Sequence, residues 1–396
     1  MNREPTTMVE LFGGSEVSAI ENPYPVFERL RHEDPVVPIR TLAGHITHLL
    51  TRYDDVFTAL QDDSVFSNKS NARGISLVMG RTIVEMDGDE HLHHRKLIRP
   101  NFAPRVVRAE EFKSVVTRVG DELVDAFAGR GRADLVAEFT YTFPIRVLSD
   151  LLGLPIEDYE TFHRWAIDLT QIGRDPERGL RGAQNLADYL GPVLAQRRRL
   201  PEDDLITSLA QAEIEGHQLT DEEIISFLRL LIVAGAETTF HLIGTMMYAL
   251  LRQPETLERV RDDRALLERV MAEALRWDSP IQLTTRETTA SVVISGVELP
   301  AGSDILTAIG SANRDQTRHT KPDEFDIDRN GPDHIAFGFG RHFCIGARLA
   351  HTEAIVAMNL LLDRLPDVRF DPDAEQSGIV GLAFRGPQRL PVVFDA

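Results

Sequence analysis

The feature that most narrows what this chain can fold into is a single long helical pattern running from Asp221 to Gln253. Thr220 and Glu223 form a T-x-x-E capping box at its start, and Pro254 marks where it must stop or hand over to another element. At 1.5 Å per residue such a helix is about 45 Å long, so it crosses a whole domain and its middle lies deep inside. The stretch Leu230 to Leu251 has about the length of a membrane span, yet it carries Glu237, His241 and several Thr and Gly residues, and it reads as a buried helix. Its middle is Ala234-Gly235-Ala236-Glu237-Thr238-Thr239. Glu237 and Thr238 are costly to bury unless paired or used, so either a satisfied core pair or a functional pair answers. A mid-helix threonine can bond back to the Ala234 carbonyl and Gly235 loosens the turn, so a local kink is expected here.

The remaining pattern is mainly α with small β-sheets. Helical spacing recurs at Phe112–Phe127, Leu186–Arg199, Ala265–Trp277 and Ile345–Arg364. Short strands are expected at Val36–Arg40, His45–Leu50, Ser291–Ile294, Val297–Leu299 and Asp304–Ile309. No internal repeat and no Gly/Ser- or Pro-rich linker divides the 396 residues, so a single domain over residues 1–396 is expected. Hydrophobic residues at 42% and charged residues at 27% are the balance of an ordinary globular core. The formal charge of -19 repels phosphate backbones and anionic lipid heads, which argues against nucleic acid as a partner. The first forty residues hold no apolar run long enough for a signal peptide or membrane anchor. One cysteine makes no intramolecular disulfide, so a reducing cytoplasm is the expected compartment, and a monomer the expected state.

That lone thiol stands in Phe337-Gly338-Phe339-Gly340-Arg341-His342-Phe343-Cys344-Ile345-Gly346, directly before the last long helical pattern. Unpaired backbone N–H groups and the positive dipole end at a helix start stabilise a thiolate, the form that binds metal. Gly338, Gly340 and Gly346 allow a tight turn and let a flat cofactor approach the backbone with no Cβ in the way. Read alone, Cys344 is equally a small buried hydrophobe among ordinary turn glycines.

The order F-G-x-G-x-H-x-C-x-G resembles the haem-binding signature of the cytochrome P-450 family, with every fixed position present. The resemblance implies a helix-rich triangular prism with a long central helix over the haem and a minor β-rich subdomain, mainly residues 30–60 and 285–310 with 375–396. It implies haem b as cofactor and Cys344 as its proximal iron ligand, with Phe337, Gly338 and Gly346 shaping the loop and His342 reaching a propionate. Thiolate ligation pushes electron density onto the iron and favours O–O cleavage.

Distant segments resemble other parts of the same family pattern. Glu273 and Arg276 match its E-x-x-R, which implies a buried ion pair behind the cysteine loop, since i and i+3 share a helical face. The family usually adds a third partner, and here Glu324 precedes Phe325 where an arginine is common, leaving Arg329 and His334 as candidates. Asp89-Glu90-His91-Leu92-His93-His94-Arg95-Lys96 resembles the segment carrying H-x-x-x-R, which implies that His91 and Arg95 point at the haem carboxylates. Arg286, ten residues after Arg276, stands where the family places another propionate-binding arginine. The cluster His91, His93 and His94 also invites a zinc or copper reading, but adjacent His93 and His94 splay about 100 degrees apart on a helix and no zincin spacing accompanies them, so solvated or capping roles are expected.

Ala234, Gly235, Glu237 and Thr238 resemble the family's A-G-x-[DE]-T-T element, which implies dioxygen above the iron and proton delivery by Thr238 with Glu237. Electrons must come from elsewhere, because no flavin-binding or iron–sulfur cysteine pattern exists. A ferredoxin with an NAD(P)H-dependent reductase is implied, and Arg341, Arg348, Lys96 and Arg99 are candidate docking cations. By position within the family pattern the substrate pocket is lined by Leu77, Val78, Met79, Val84, Leu230, Val233, Ala234, Ile281, Leu283, Ala383 and Phe384. Their apolar character favours a hydrophobic organic substrate such as a terpenoid, steroid, fatty acid or aromatic compound, to be hydroxylated with dioxygen. A haem-thiolate sensor would have no use for the Glu237–Thr238 pair, and a peroxide-driven variant would often lack it.

Overall fold

In the computed structural model, which describes residues 4–41, 44–107, 109–375 and 378–395, the long pattern is one helix, Asp221–Leu251. Its start is capped as the sequence predicts. The Glu223 N–H donates to Thr220 Oγ1 at 3.2 Å, and the Thr220 N–H donates to Glu223 Oε2 at 2.8 Å, so two otherwise orphaned donors are satisfied reciprocally. The next helix, Pro254–Asp262, opens on the proline that cannot continue the first one. The helical run is unbroken through Gly235, so the loosening expected there does not divide it. Although the helix is long and apolar enough to cross a membrane, 72% of its most apolar window is buried within the protein, as a core helix should be.

The chain divides into two compact units, and the long helix contributes to both. One unit comprises Met1–Phe66, Val116–Phe143 and Thr238–Ala396. Its sheet pairs Val36–Arg40 antiparallel with Ile46–Leu50, which runs parallel to Asp304–Ala308, which in turn pairs antiparallel with Leu283–Thr288. Both faces are covered, and the alternation of the strands assigns the residues. Val37, Ile39 and Leu49 pack with Phe12, Phe27 and Leu30 on one side, while Val36, Leu50 and Ile305 pack with Val56, Leu60 and Ile309 on the other. The same unit holds the helices Leu267–Trp277 and Ala347–Arg364, and a small sheet in which Pro391–Val393 lies between Arg369–Phe370 and Arg132–Asp134.

The other unit comprises Ser67–Val115 and Pro144–Glu237. Here the helix Tyr159–Thr170 lies against Pro176–Arg199. A Cβ on Gly182 would come within 2.9 Å of the Trp165 carbonyl oxygen, and one on Gly179 within 3.0 Å of Ile172 Cα, so glycine at these two positions is what permits the close approach. Tyr189 closes the contact from the second helix, its ring against Phe162 and its hydroxyl donating to Asp158 at 2.7 Å. Arg198 ties the end of that helix to the start of the long one, donating to Asp221 at 2.7 Å and to the Leu219 carbonyl at 3.2 Å.

Val36–Arg40 and Val297–Leu299 have the expected bounds, and the other three expected strands are each one residue shorter at one end, as Ile46–Leu50, Val292–Ile294 and Asp304–Ala308. The helices fall at Glu110–Asp125, Pro176–Arg199, Leu267–Trp277 and Ala347–Arg364. The largest boundary error is at Pro176, where Asp175 accepts from the Arg178 N–H and starts the helix ten residues earlier than expected. The strand Leu283–Thr288 is not among the expected strands, although the resemblance placed the chain from 285 onward in the β-rich part. Its sequence is polar, and it is held by pairing with Asp304–Ala308, Arg286 standing opposite Ile305.

Candidate active site

The Cys344 loop belongs to the first unit. Gly338 and Gly340 take φ of +71° and +72°, where a side chain would be strained. Gly340 is doubly constrained, because a Cβ there would sit 3.0 Å from the Leu60 carbonyl oxygen. The Cys344 N–H donates to the Phe337 carbonyl at 2.9 Å and the Gly338 N–H to the Ile335 carbonyl at 2.9 Å, which folds the loop back on itself. Cys344 is thereby exposed two residues ahead of Gly346, the N-cap of the helix Ala347–Arg364. The rings of Phe57 and Phe339 meet at 4.4 Å, and Arg341 pairs with Asp63, fastening the loop to the helix Tyr53–Gln61 and the turn after it. An exposed thiol at a helix start, in a turn that only glycines permit, suits a thiolate ligand approached by a flat cofactor. The donor set therefore fits a cysteine-ligated haem.

On the helix Leu267–Trp277, Glu273 and Arg276 form a fork with Nε and Nη2 each 2.8 Å from a carboxylate oxygen, both side chains being almost wholly buried. The third partner is Arg329, whose Nε donates to Glu273 Oε1 at 3.1 Å; the Asp326 N–H donates to the same oxygen at 2.9 Å. His334 is not in that role. It accepts from the Ala336 N–H at 3.3 Å and lies beside Phe337. Arg276 goes on to the carbonyls of Asn313, Pro322 and Glu324, so one guanidinium knits the segment leading to the cysteine loop. Burial pulls Arg276 below its ordinary value, with Glu273 opposing. Burial also lowers His319 to about 4, helped by the charges of Arg276 and Arg329, and lowers His334 to about 4.

Arg286 is buried in the strand Leu283–Thr288, with Nη1 donating to the Thr285 carbonyl at 2.7 Å, and His342 lies in the short turn Gly340–His342 just before the cysteine. In the second unit, His91 is buried and Arg95 half-buried on the helix Gly88–Ile98, one turn apart. His94, expected to be solvated or capping, is half-buried and bonds a carboxylate of another helix and a carbonyl of its own. Its Nε2 is 2.9 Å from Glu223 of the capping box, and its Nδ1 donates to the Glu90 carbonyl at 3.0 Å. Burial opposes ionisation of Glu223, but the hydrogen bonds from His94 and Thr220 hold its carboxyl below the usual value. His93 packs edge-on against His217 at 5.3 Å, and the described residues hold no group of three or more side chains placed to bind a metal ion.

On the long helix, Ala234 is exposed while Val233 and Ala236 on either side are buried, and Gly235, Glu237 and Thr238 are half-buried. Small residues at 234 and 235 thus open a place on an otherwise closed helix, directly before the acid and the alcohol. Of the expected pocket residues, Ile281 and Phe384 form a β-bridge and the Gln282 N–H donates to the Ala383 carbonyl at 3.0 Å, so these two segments are brought together. Ala383 is exposed, and Ile281, Leu283 and Phe384 are half-buried. Leu77 is exposed and Val84 half-buried, whereas Val78, Met79, Leu230 and Val233 are buried. Sequence reasoning missed His163, whose Nε2 is 3.8 Å from Glu237 Oε1. A lone histidine on an amphipathic helix carries no signal of its partner.

A family model described as Cytochrome P450 matches residues 169–377. The cytochrome P450 monooxygenase PikC of Streptomyces venezuelae is 36% identical over 380 residues, covering 94% of this chain and 91% of its own. The crystal structure of CYP109E1 from Bacillus megaterium in complex with testosterone superposes with a TM-score of 0.85 at 32% identity, over 95% of this chain and all of that one. The crystal structure of the myxobacterial cytochrome P450 CYP267B1 in complex with myristic acid gives 0.87 at 32% identity, over 98% of this chain and 100% of that one.

Proposed function

The chain belongs to the cytochrome P450 family of haem-thiolate monooxygenases, with Cys344 as the thiolate, and from that premise we propose that it hydroxylates a hydrophobic small organic molecule with electrons from an external ferredoxin. The overall reaction takes one dioxygen, two electrons and two protons per substrate and leaves a hydroxyl on the product and one water. When bound, the haem supplies dioxygen activation and oxygen insertion, and the protein supplies orientation, protons and exclusion of side reactions.

The observation that carries this reading is the acid–alcohol pair Glu237–Thr238, set in a core helix one turn from exposed Ala234. In the proposed roles, the Thr238 hydroxyl hands protons onward and Glu237 supplies them, while Ala234 and Gly235 keep side-chain bulk out of the way. His91, Arg95, Arg286 and His342 are proposed to pair with the two propionates, and Phe337, Gly338 and Gly346 to shape the surface beside the thiolate. Ile281, Leu283, Ala383 and Phe384, with Leu77 and Val84, are the proposed substrate contacts, and the apolar ligands named for the two similar structures support a steroid- or fatty-acid-like substrate class. Exposed Arg348, Lys96 and Arg99 are the proposed docking cations for an acidic ferredoxin; Arg341 already pairs with Asp63. Cytoplasmic location, a monomeric state and a single catalytic domain belong to the same reading.

Thr238→Ala tests it. NADH consumption should continue while product per NADH falls on the order of tenfold or more and peroxide appears in its place. Full coupling in that variant would remove Thr238 from the mechanism. Product formation supported by peroxide as fast as by ferredoxin would favour the peroxide-driven alternative.

A further inference from the structure

We infer that Arg385 is a positioning residue that sets the shape the site offers to substrate, by anchoring from its buried side the turn that carries Ala383 and Phe384; the inference rests on the reading of Ile281, Ala383 and Phe384 as substrate contacts. The turn, residues 381–385, closes a hairpin of only two pairs, Ile379 with Pro387 and Val380 with Gly386. A two-stranded hairpin so short does not hold its own tip. The tip has two sides. Leu382 and Arg385 are buried, whereas Ala383 is exposed and Phe384, bridged to Ile281, is half-buried. On the buried side, Arg385 Nε donates to Asp278 Oδ1 at 2.7 Å, and the two side chains are only 4% and 3% exposed. Its Nη1 donates to the carbonyls of Gly381 at 2.9 Å and Ile20 at 3.2 Å, and its Nη2 to the Glu21 carbonyl at 2.8 Å.

One guanidinium thus joins the start of the turn, the segment before the helix Tyr24–Glu33, and Asp278, the C-cap of the helix Leu267–Trp277. Asp278 is held in its turn by the Tyr24 hydroxyl, which donates to the same oxygen at 2.9 Å. Burial, with Asp278 beside it, pushes that hydroxyl up to about 12, which keeps it a donor. Ile281 and Phe384, the two residues that meet, therefore hang on one buried bond: Ile281 stands three residues after Asp278, and Phe384 one residue before Arg385. Losing that bond frees the turn to shift against Ile281. The two segments still stay adjacent, because the Gln282 N–H donates to the Ala383 carbonyl at 3.0 Å and the Arg385 N–H to the Pro280 carbonyl at 2.9 Å. The expected consequence is a change in the shape of the apolar surface. An arginine present only for stability would leave that shape untouched.

The test compares two ligands of the iron in the haem-loaded protein: imidazole, which is small, and 4-phenylimidazole, whose phenyl group takes up space where substrate would lie. Each is titrated by the shift of the Soret band, and the ratio of the two affinities reads the shape of the site, because a general loss of stability cancels from it. Arg385→Gln should change that ratio on the order of tenfold, and Arg385→Lys, which keeps a donor for Asp278 without the fork to the carbonyls, should change it less. An unchanged ratio in Arg385→Gln, when Phe384→Ala changes it, overturns the inference and leaves the contact reading standing. An unchanged ratio in Phe384→Ala overturns the contact reading, and the inference with it. If Arg385→Gln does not load haem, Arg385→Lys and Tyr24→Phe decide: the second removes one bond to Asp278 from outside the turn, and an unchanged ratio in both overturns the inference.

Discussion

Replacing Arg329 by Met offers the sharpest quantitative test of how the cysteine loop is supported. Arg329 donates to Glu273 at 3.1 Å and to the carbonyls of Glu324 at 2.8 Å and Lys321 at 3.2 Å, and it also reaches the Thr320 carbonyl. After the substitution, Glu273 keeps both bonds from Arg276 and the bond from the Asp326 N–H, and the Glu324 carbonyl keeps Arg276 at 3.0 Å. Thr320 and Lys321 are exposed, so their carbonyls regain water. What is lost is chiefly the ion-pair hydrogen bond to Glu273 plus part of the bond to the Glu324 carbonyl, about 2–3 kcal/mol. Arg276→Met is different in kind, because it strips the fork from a buried carboxylate and frees the carbonyls of Asn313 and Pro322, and should cost about 4 kcal/mol or more. Urea unfolding of the haem-loaded proteins, followed by far-ultraviolet circular dichroism, measures both. A cost for Arg329→Met within about 0.5 kcal/mol of wild type, or equal to that of Arg276→Met, would show that Arg329 does not act as a secondary support of Glu273. A double-mutant cycle with Glu273→Gln should return a coupling of about 1–3 kcal/mol for the Arg329 pair.

His319 and Glu353 make two further predictions of opposite sign. His319 is lowered to about 4 in the folded chain by burial and by Arg276 and Arg329, so the unfolded chain takes up a proton first as pH falls. Stability that is full above about 6.5 should be lost progressively down to about 4, by up to about 3 kcal/mol, and His319→Gln should flatten that slope in unfolding curves at pH 7, 6 and 5. An unchanged slope would remove His319 as its cause. Glu353 is buried on the helix Ala347–Arg364, and burial raises its carboxyl well above the usual value, which favours the neutral acid in the fold. Glu353→Gln should therefore stabilise the protein, with a gain that grows as pH rises from 5 to 8; a loss of stability at pH 8 would show that the carboxylate has a partner.

The long helix was legible because its apolar run, capping box and terminal proline agree with one another, and the cysteine loop because glycine spacing carries backbone conformation as well as composition. Local structure of that kind is written in neighbouring residues. The third partner of the Glu273–Arg276 pair was legible only as a choice between Arg329 and His334, because Arg329 lies 56 positions from Glu273 in an irregular stretch where no periodicity orients a side chain. The strand Leu283–Thr288 hid for a related reason: its residues are polar, and its state is decided by the pairing with Asp304–Ala308. Apolar character did not separate accessible from buried positions either. Val78, Met79 and Val233 are as hydrophobic as Ile281 and Phe384, and only three-dimensional neighbours show that the first three are enclosed. His163 is a further case, since the side chain that it approaches, Glu237, lies on another helix far along the chain.

The central claim, that Cys344 is the thiolate ligand of a haem, is tested most directly by the absorption spectrum of the reduced protein with carbon monoxide. Wild type should show a strongly red-shifted Soret band, and Cys344→Ala should lose it while any haem it retains gives an unshifted one. An unshifted band in wild type, or a red-shifted band that survives in Cys344→Ala, would contradict the account.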